Sequence, residues 1–246
     1  MTKIKSIDIN ADVGEGVGNE ELLFPYLSSC NIACGGHAGD EQSMRAMVRL
    51  AKQYNLKIGA HPSFLDRKHF GRKIILTDGP DLRDTITTQI TTLLDICKEE
   101  GVELHHIKPH GALYNYAAFD EFAARLVIET VEAIDSNLIL YAPGHSDIVR
   151  LAEGRLKTFK EVFAERNYRD DYSLVPRSKP KAILTDETAL KTHLEHLLLK
   201  QQIKTVSGVL LPVQMDTLCV HGDHQDAVGV VRLIHDFLAE HEIKIQ

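Results

Sequence analysis

The sequence predicts an α/β protein built on a parallel sheet, and two observations lead to this class. Short apolar segments alternate with longer segments whose apolar residues recur at the spacing of an α-helix. The alternation runs through all 246 residues without a Pro/Gly/Ser-rich linker or a clear internal repeat. Strands that alternate with helices are typical of a parallel sheet covered by helices. Because about seven strands fall in one unit, we expect a barrel rather than an open sheet, in a single domain over residues 1–246.

Each element follows from its local pattern. Strands are predicted where apolar residues run without helical periodicity: Ile4–Ile9, Cys30–Ala33, Leu56–Ala60, Leu104–Lys108, Leu138–Ala142, Glu161–Ala164 and Thr217–His221. Helical stripes lie between or after them: Met44, Met47, Val48, Ala51; Ile86, Ile90, Leu93, Leu94, Cys97; Phe119, Phe122, Ala123, Leu126, Val127, Ile134; Leu190, Leu194, Leu197, Leu198; and Val230, Val231, Ile234, Phe237, Leu238. The stretch TVSGVLLPV, residues 205–213, predicts an added β-hairpin, because Ser207 and Gly208 separate two β-rich runs.

Composition excludes several classes of function. The chain carries 28 Lys and Arg against 35 Asp and Glu, a formal charge of −7, which argues against a nucleic-acid partner. Its apolar runs are too short to span a bilayer, and its first residues lack the apolar core of a signal peptide. We therefore expect a cytoplasmic protein without a membrane partner, with its oligomeric state left open. The four cysteines are expected to be buried free thiols: Cys30, Cys34, Cys97 and Cys219.

Polar side chains follow nearly every predicted strand at its carboxyl end. The first strand leads into DINADVGEG, residues 8–16, which is dense in side-chain oxygens. The candidate site residues among them are Asn10, Asp12, Glu15, His37, His61, Arg72, Lys108, His110, Tyr114, Asn115, Glu165, Arg166, His221 and Asp223. Because parallel strands point their carboxyl ends to one face, these side chains should converge there. Asp40 is the exception, since its place before a helix indicates an N-cap.

The residue types in this set indicate hydrolytic or lyase chemistry. Asp12 and Glu15 are suited to acid–base catalysis, and neutral histidines can transfer protons or bind a metal. Asp12, His37 and His61 form a candidate metal site of two histidines and one carboxylate, but their spacing is not diagnostic and proton transfer is the preferred interpretation. The chain has no G-x-x-x-x-G-K-[ST] phosphate loop and no G-x-S-x-G elbow.

These stretches also resemble the LamB/YcsF family. The motifs that carry the resemblance are DINADVGEG, NIACGGHAGD, IGAHPSF with FGR, KPHGALYN, EVFAERNY with LVPRS, and DTLCVHGD, and they run from residue 7 to 223. The resemblance implies an irregular seven-stranded β/α (TIM-like) barrel, similar to that of deacetylases and some glycoside hydrolases. It implies ATP-dependent hydrolysis of 5-oxo-L-proline to L-glutamate, carried out by a 5-oxoprolinase A subunit together with subunits B and C.

The chemistry of this reaction suggests hypothetical roles for residues at the positions that match the family motifs. Catalytic roles are expected for Asp12, Glu15, His61, Lys108 and His110. Substrate-binding roles are expected for Asn10, His37, Arg72, Tyr114, Asn115, Glu165, Arg166, Arg177, His221 and Asp223. The expected cofactors are ATP and a divalent metal, either Mg²⁺ with ATP or an ion bound in the site. One departure from the family pattern is Gly36, where phenylalanine is usual, and this is expected to widen the pocket. The altered loop over residues 171–181 is another departure, and it puts substrate fit in question.

Two other functions are compatible with the sequence. The first is a metal-dependent deacetylase or other amidohydrolase that acts alone, by analogy of fold. The second is a lactam-binding subunit without catalytic activity, whose partners carry out the chemistry.

Overall fold

Seven parallel strands close into a barrel in a computed structural model that describes residues 4–76, 78–222 and 226–246. The strands follow one another in chain order around the barrel, and the last pairs with both the sixth and the first. They are β1 (Ser6–Val13), β2 (Ser29–Ala33), β3 (Lys57–His61), β4 (Leu104–Ile107), β5 (Ile139–Pro143), β6 (Thr158–Phe163) and, after a hairpin, β9 (Thr217–Val220). The predicted seven-stranded β/α barrel is confirmed.

Helices cover the outside of the barrel. They are α1 (Glu20–Leu23), α2 (Glu41–Gln53), α3 (Gly79–Glu99), α4 (Gly111–Phe119), α5 (Glu121–Ile134), α6 (Asp147–Ala152), α7 (Glu187–Leu194) and α8 (Ala227–Glu240). The predicted stripe of α2 is largely buried, through Met44, Val48 and Ala51. Asp40 caps α2 as expected, because its side chain accepts a hydrogen bond from the backbone N–H of Ser43 at 2.8 Å.

Smaller elements complete the fold. β7 (Gln202–Lys204) and β8 (Leu210–Pro212) form an antiparallel hairpin ahead of β9. β10 (Lys244–Ile245) pairs in parallel with the start of β1. Short 3₁₀ turns occupy Phe24–Tyr26 and Arg67–His69, and a π-helical turn at Glu195–Leu199 continues α7. No helix in the described ranges is long and apolar enough to cross a membrane.

β1 is longer than its sequence suggests, and its two faces meet different environments. Ile7, Ile9 and Ala11 are buried in the apolar core that the strands share with the helices. The alternate residues Asn10 and Asp12 make side-chain hydrogen bonds across the barrel interior. The prediction that β1 ends at Ile9 was therefore wrong. In the sequence, Asn10 and Asp12 resemble the start of a loop. They continue the strand because side chains inside the barrel form hydrogen bonds with them.

The interior of the barrel is a column of hydrogen-bonded polar side chains. The amide of Asn10 donates to Glu161 Oε1 at 2.9 Å and to Thr217 Oγ1 at 2.7 Å. Asn31 donates to Asn10 Oδ1 at 2.8 Å and accepts from His106 Nε2 at 2.8 Å. Each of these five residues is buried. The column fixes the register of the strands that contribute to it, because each amide and imidazole forms hydrogen bonds with specific neighbours.

Two further residues extend and accommodate this column. Asp8, fully buried, accepts hydrogen bonds from Ser29 Oγ at 2.8 Å and Thr217 Oγ1 at 2.6 Å. Gly59 makes room for the ring of His106, because a Cβ at this position would lie 2.1 Å from His106 Nε2. A side chain at residue 59 is thus incompatible with the present position of the histidine.

Candidate active site

A cavity of about 500 Å³ opens at the carboxyl ends of the strands. All five residues predicted to be catalytic line it: Asp12, Glu15, His61, Lys108 and His110. So do six residues predicted to bind substrate: Arg72, Tyr114, Asn115, Arg166, Arg177 and His221. The strand-end pattern in the sequence therefore corresponds to one surface in three dimensions, formed by strands far apart in the chain.

Four other predicted residues are placed differently. Asn10, His37 and Glu165 are buried just behind the cavity wall, where each makes a hydrogen bond to a group near or on the wall. Their positions suit orienting wall residues better than contacting an organic substrate in the cavity. Asp223 lies outside the described residues.

Lys108 is the positive centre at the base of the cavity. Its side chain follows β4 and is 3 % exposed, and its ammonium lies 3.0 Å from both Asp12 Oδ1 and Glu161 Oε1. It also donates to Asn10 Oδ1 at 3.2 Å and to Cys219 Sγ at 3.1 Å. Burial opposes its charge, but Asp12, Cys219 and Glu161 outweigh this and raise the pKa of Lys108 well above its usual value. The ammonium therefore stays charged although it is buried.

Asp12 is held in its ionised form beside this ammonium. Burial alone would raise its pKa, but the charges of His61 and Lys108 lower the pKa of Asp12 well below its usual value. Asn31 donates a further hydrogen bond to Asp12 Oδ1 at 2.8 Å. The second oxygen, Oδ2, lies 3.4 Å from His61 Nε2. One carboxylate oxygen is thus used for positioning, while the other faces a histidine at the cavity wall.

Three histidines and Glu15 form a compact cluster next to Asp12. His61 Nε2 lies 2.9 Å from His110 Nδ1, and His37 Nε2 lies 2.9 Å from Glu15 Oε1. The rings of His37 and His110 stack with their centroids 3.6 Å apart. Burial lowers the pKa of His37 to about 3 and that of His110 to about 2. These two imidazoles are therefore neutral at physiological pH.

The predicted metal set differs from the grouping in the structure. His37 and His61 are grouped with Glu15 and His110, and the four ligating atoms lie within 4.8 Å of one another. Asp12 falls instead in a second group with Cys219 and His221. The physical reason is that the ammonium of Lys108 binds Asp12 Oδ1 and holds this carboxylate away from His37.

His221 and Glu165 form a pair on the far wall. His221 Nδ1 makes a short hydrogen bond to Glu165 Oε1, and its ring stacks on Phe163 with centroids 5.3 Å apart. Burial would raise the pKa of Glu165, but the charge of His221 lowers it. Glu165 thus orients His221, which lines the cavity.

Four arginines also line the cavity: Arg72, Arg166, Arg169 and Arg177. Arg166 is partly committed to structure, because its guanidinium donates to the carbonyl of Val175 at 2.7 Å. Arg72 lies over the ring of Phe70, 5.0 Å from its centroid. Together with Lys108 these groups make the cavity suited to an anionic ligand.

Sequence reasoning missed Glu161, Cys219 and Arg169. Glu161 looked like the first residue of a strand, whereas it lies within β6 and points at Lys108. Cys219 was correctly expected to be a buried free thiol, but its contact with Lys108 was not foreseen. A signal for Glu161 was available, since a glutamate inside an apolar strand is rarely buried without a partner. Arg169 carried no comparable signal.

Gly36 does not widen the cavity, contrary to expectation. It is absent from the cavity lining, and a Cβ at this position would lie 2.4 Å from both Gln89 Oε1 and Ser63 Oγ. The side chain of Gln89 also accepts from the backbone N–H of Ser63 at 3.0 Å. The space next to Gly36 is therefore occupied by Gln89 and Ser63.

Comparison with known proteins identifies the class to which this barrel and cavity belong. A model of the LamB/YcsF family matches residues 7–246, and the chain belongs to this family. It is 43 % identical over 244 residues to a protein of Haemophilus influenzae (strain PittEE) that is named as the A subunit of 5-oxoprolinase, covering 98 % of this chain and 99 % of that protein. A protein of the same name from strain PittGG is 42 % identical over the same length.

Solved structures give the same assignment at the level of the fold. The crystal structure of a lactam utilization protein from Thermus thermophilus matches with a TM-score of 0.90 and 33 % identity, covering 98 % of this chain and 99 % of that one. A family 4 carbohydrate esterase from Streptomyces lividans matches with a TM-score of 0.51 and 9 % identity, over 99 % of this chain and 93 % of that one. The esterase shares the barrel, and at this identity the likeness extends to the fold alone.

Proposed function

We propose that this chain is the A subunit of an ATP-dependent 5-oxoprolinase and that its cavity is where the ring of 5-oxo-L-proline is opened to give L-glutamate. The relatives named as 5-oxoprolinase A subunits, and the one named as a lactam utilization protein, support the substrate class. The observation that carries the proposal is the pair of Asp12 and Lys108, 3.0 Å apart, in a cavity that arginines also line. Such a pair places a fixed positive charge and an ionised carboxylate where a lactam carbonyl would be attacked.

The chemistry assigns roles to the wall residues. Hydrolysis requires water to add to the lactam carbonyl, the C–N bond to break and the ring nitrogen to gain a proton. The ammonium of Lys108 would stabilise the negative charge that develops on the carbonyl oxygen. Asp12 Oδ2, 3.4 Å from His61 on the cavity wall, would orient the attacking water and accept its proton, which then passes to the departing nitrogen. His110, 2.9 Å from His61, and Glu15 would hold His61 in position.

ATP would act through a phosphorylated substrate. A lactam amide is a poor electrophile, and transfer of the γ-phosphoryl group of ATP to its oxygen would activate the ring carbon. Water addition and cleavage of the C–N bond would then give an acyl phosphate of glutamate, and hydrolysis of this acyl phosphate would release phosphate and L-glutamate. Since the sequence contains no phosphate-binding loop of the P-loop type, we assign ATP and its Mg²⁺ to the partner subunits B and C. Arg72, Arg169 and Arg177, which line the cavity, would then bind the carboxylate and phosphate of the substrate.

A second candidate function is hydrolysis of an amide by a metal-dependent enzyme that acts alone. The cluster of Glu15 with three histidines favours it, because these ligand types suit a transition metal. The two candidates differ in whether ATP and partner subunits are required.

Reconstitution tests the proposal. The purified chain is assayed for glutamate and ADP formation from 5-oxo-L-proline, alone and with subunits B and C. We expect turnover only in the complete mixture, and at least about a hundredfold loss with Asp12→Asn. Asp95→Asn is the matched control, since Asp95 lies on the exposed face of α3. Turnover by the isolated chain without ATP would favour the second candidate, and unchanged turnover by Asp12→Asn in the complex would refute the assigned role.

A further inference from the structure

His37, His61 and His110 each donate one hydrogen bond from a ring N–H to a group outside the cluster that they form with Glu15. His61 Nδ1 donates to the carbonyl of Lys108 at 2.7 Å, and His110 Nε2 donates to the carbonyl of Phe70 at 2.9 Å. A carbonyl oxygen only accepts, so these two ring nitrogens carry hydrogen. The hydrogen bonds therefore fix both tautomers.

The hydroxyl group of Ser63 fixes the tautomer of the third histidine, His37. Ser63 donates its only hydroxyl hydrogen to the carbonyl of Phe64 at 2.8 Å. Its oxygen therefore accepts from His37 Nδ1, which lies 3.1 Å away. His37 and His110 are neutral, so the second nitrogen of each ring, Nε2 of His37 and Nδ1 of His110, then carries a lone pair.

These two nitrogens lie close to His61 Nε2 and to a carboxylate oxygen of Glu15. His61 Nε2 and His110 Nδ1 lie 2.9 Å apart. Glu15 Oε1 lies 2.9 Å from His37 Nε2, 3.4 Å from His110 Nδ1 and 4.0 Å from His61 Nε2. Two ring nitrogens at 2.9 Å repel unless a proton or a metal ion lies between them. Ligands of a tetrahedral ion with bonds of about 2.0–2.1 Å are separated by about 3.3 Å, close to these distances.

We propose that Glu15, His37, His61 and His110 bind one divalent transition-metal ion, such as Zn²⁺ or Co²⁺, at the wall of the cavity. Metal-bound histidines usually donate their other N–H to a carbonyl or hydroxyl, as all three do here. Imidazole ligands favour zinc, cobalt or nickel over Mg²⁺, which prefers oxygen ligands. A bound ion of this kind supplies Lewis-acid chemistry to a ligand in the cavity.

The second group of ligand types is a poor competitor. In the group of Asp12, Cys219 and His221, burial raises the pKa of the Cys219 thiol well above its usual value. The ammonium of Lys108 lies 3.1 Å from Cys219 Sγ and 3.0 Å from Asp12 Oδ1. A cation already occupies this position, so a metal ion would have to displace it.

His37 is expected to be the weakest of the four ligands. Its ring is parallel to that of His110, within 3° and with centroids 3.6 Å apart. Nitrogens of both rings can coordinate one ion only if the rings tilt away from each other. Loss of His37 or of its partner Ser63 should thus weaken binding less than loss of His61 or Glu15.

Metal binding by the purified full-length chain tests the proposal without any assay of turnover. The protein is treated with a chelator, then titrated with Zn²⁺, Co²⁺ and Mg²⁺ by calorimetry, with visible absorption of Co²⁺ as a signature of tetrahedral geometry. We expect one Zn²⁺ or Co²⁺ per chain and no binding of Mg²⁺ at this position. His61→Asn and Glu15→Gln should each weaken binding by at least about a hundredfold, and Ser63→Ala by about tenfold. His69→Asn, on an exposed turn, is the matched control and should bind as the wild type does.

Far-ultraviolet circular dichroism and thermal unfolding establish that the variants fold, and the conservative Glu15→Gln variant keeps the shape of the site if a histidine variant does not fold. Absence of stoichiometric binding, or binding that survives both His61→Asn and Glu15→Gln, overturns the metal site. A ¹⁵N spectrum that shows a protonated His61 in place of a bound ion also overturns it. None of these results depends on 5-oxo-L-proline turnover, so failure here and failure of the proposed function are separable.

Discussion

Replacing Lys108 by methionine would remove the only positive charge that contacts both Asp12 and Glu161 among the described residues. Lys108 is buried, and its ammonium lies 3.0 Å from each carboxylate. Attraction between unit charges at this distance is about 5 kcal/mol at an effective dielectric constant of about 20, and the desolvation of the ammonium offsets part of it. Breaking a buried ion pair costs about 3–5 kcal/mol, so we expect Lys108→Met to lower the free energy of unfolding by about that much near pH 8.

The pH dependence gives this prediction a second, independent readout. In the wild type the pKa of Asp12 is lowered, so its contribution to stability is full above the unfolded-state pKa near 4 and is lost as the pH falls through the folded-state value. In Lys108→Met, burial without a cation would instead raise the carboxylate pKa above the unfolded value. Stability from these groups is then greatest at low pH and is lost as the pH rises. The difference in the free energy of unfolding between the wild type and Lys108→Met should therefore become smaller as the pH is lowered from about 8 to about 5.

Denaturant unfolding of both proteins across this pH range measures the deficit. Lys191→Met is the matched control, because Lys191 forms an exposed pair with Glu187 on α7, and it should leave stability nearly unchanged. If Lys108→Met does not fold, the double variant with Glu161→Gln removes one of the two unpaired charges and should recover stability. A deficit that is below about 1 kcal/mol at pH 8, or that grows on acidification, would refute the reasoning.

The remaining predictions concern the barrel interior and the buried histidines. Gly59→Ala should lower the free energy of unfolding by about 1–3 kcal/mol, because its Cβ would overlap the ring of His106; equal stability in a denaturant titration would contradict this. Burial lowers the pKa of His37, His110 and His193, the last to about 4, so the metal-free protein should lose stability as the pH falls below the unfolded value near 6.5. Each should contribute a slope of about 1.4 kcal/mol per pH unit between about pH 6 and pH 5, and unfolding curves with a flat dependence there would refute their burial as neutral rings.

The alternation of strands and helices was readable from sequence because outward-facing strand residues and helix stripes are apolar and periodic. The convergence of strand-end residues followed from one rule of parallel sheets, which is why Asp12, His61 and Lys108 were placed together correctly. The interior was less predictable. Polar residues within β1 and β6 looked like strand boundaries, because their partners come from strands up to 207 residues away and only the closed barrel brings them together.

The side-chain pairings inside the site also could not be predicted from the sequence. Which carboxylate lies beside His37 depends on the loop after β1, and the choice of Glu15 over Asp12 rests on distances that composition and spacing do not contain. The tautomers of the histidines depend on backbone carbonyls, which every residue carries and no motif reveals.

The polar column inside the barrel has a consequence for how the chain can be divided. Asp8 accepts a hydrogen bond from Thr217, and Lys108 forms an ion pair with Glu161. Strands from the two halves of the chain therefore supply the hydrogen-bond and ion-pair partners of each other's buried polar groups. A fragment that ended after β5 would leave Asp8 and Lys108 without these partners. Half-barrels of this protein should therefore not persist as folded pieces, and split halves should gain structure only when mixed. Barrel closure is in this sense a condition for the strands to be stable at all, and assembly should be cooperative from β1 to β9.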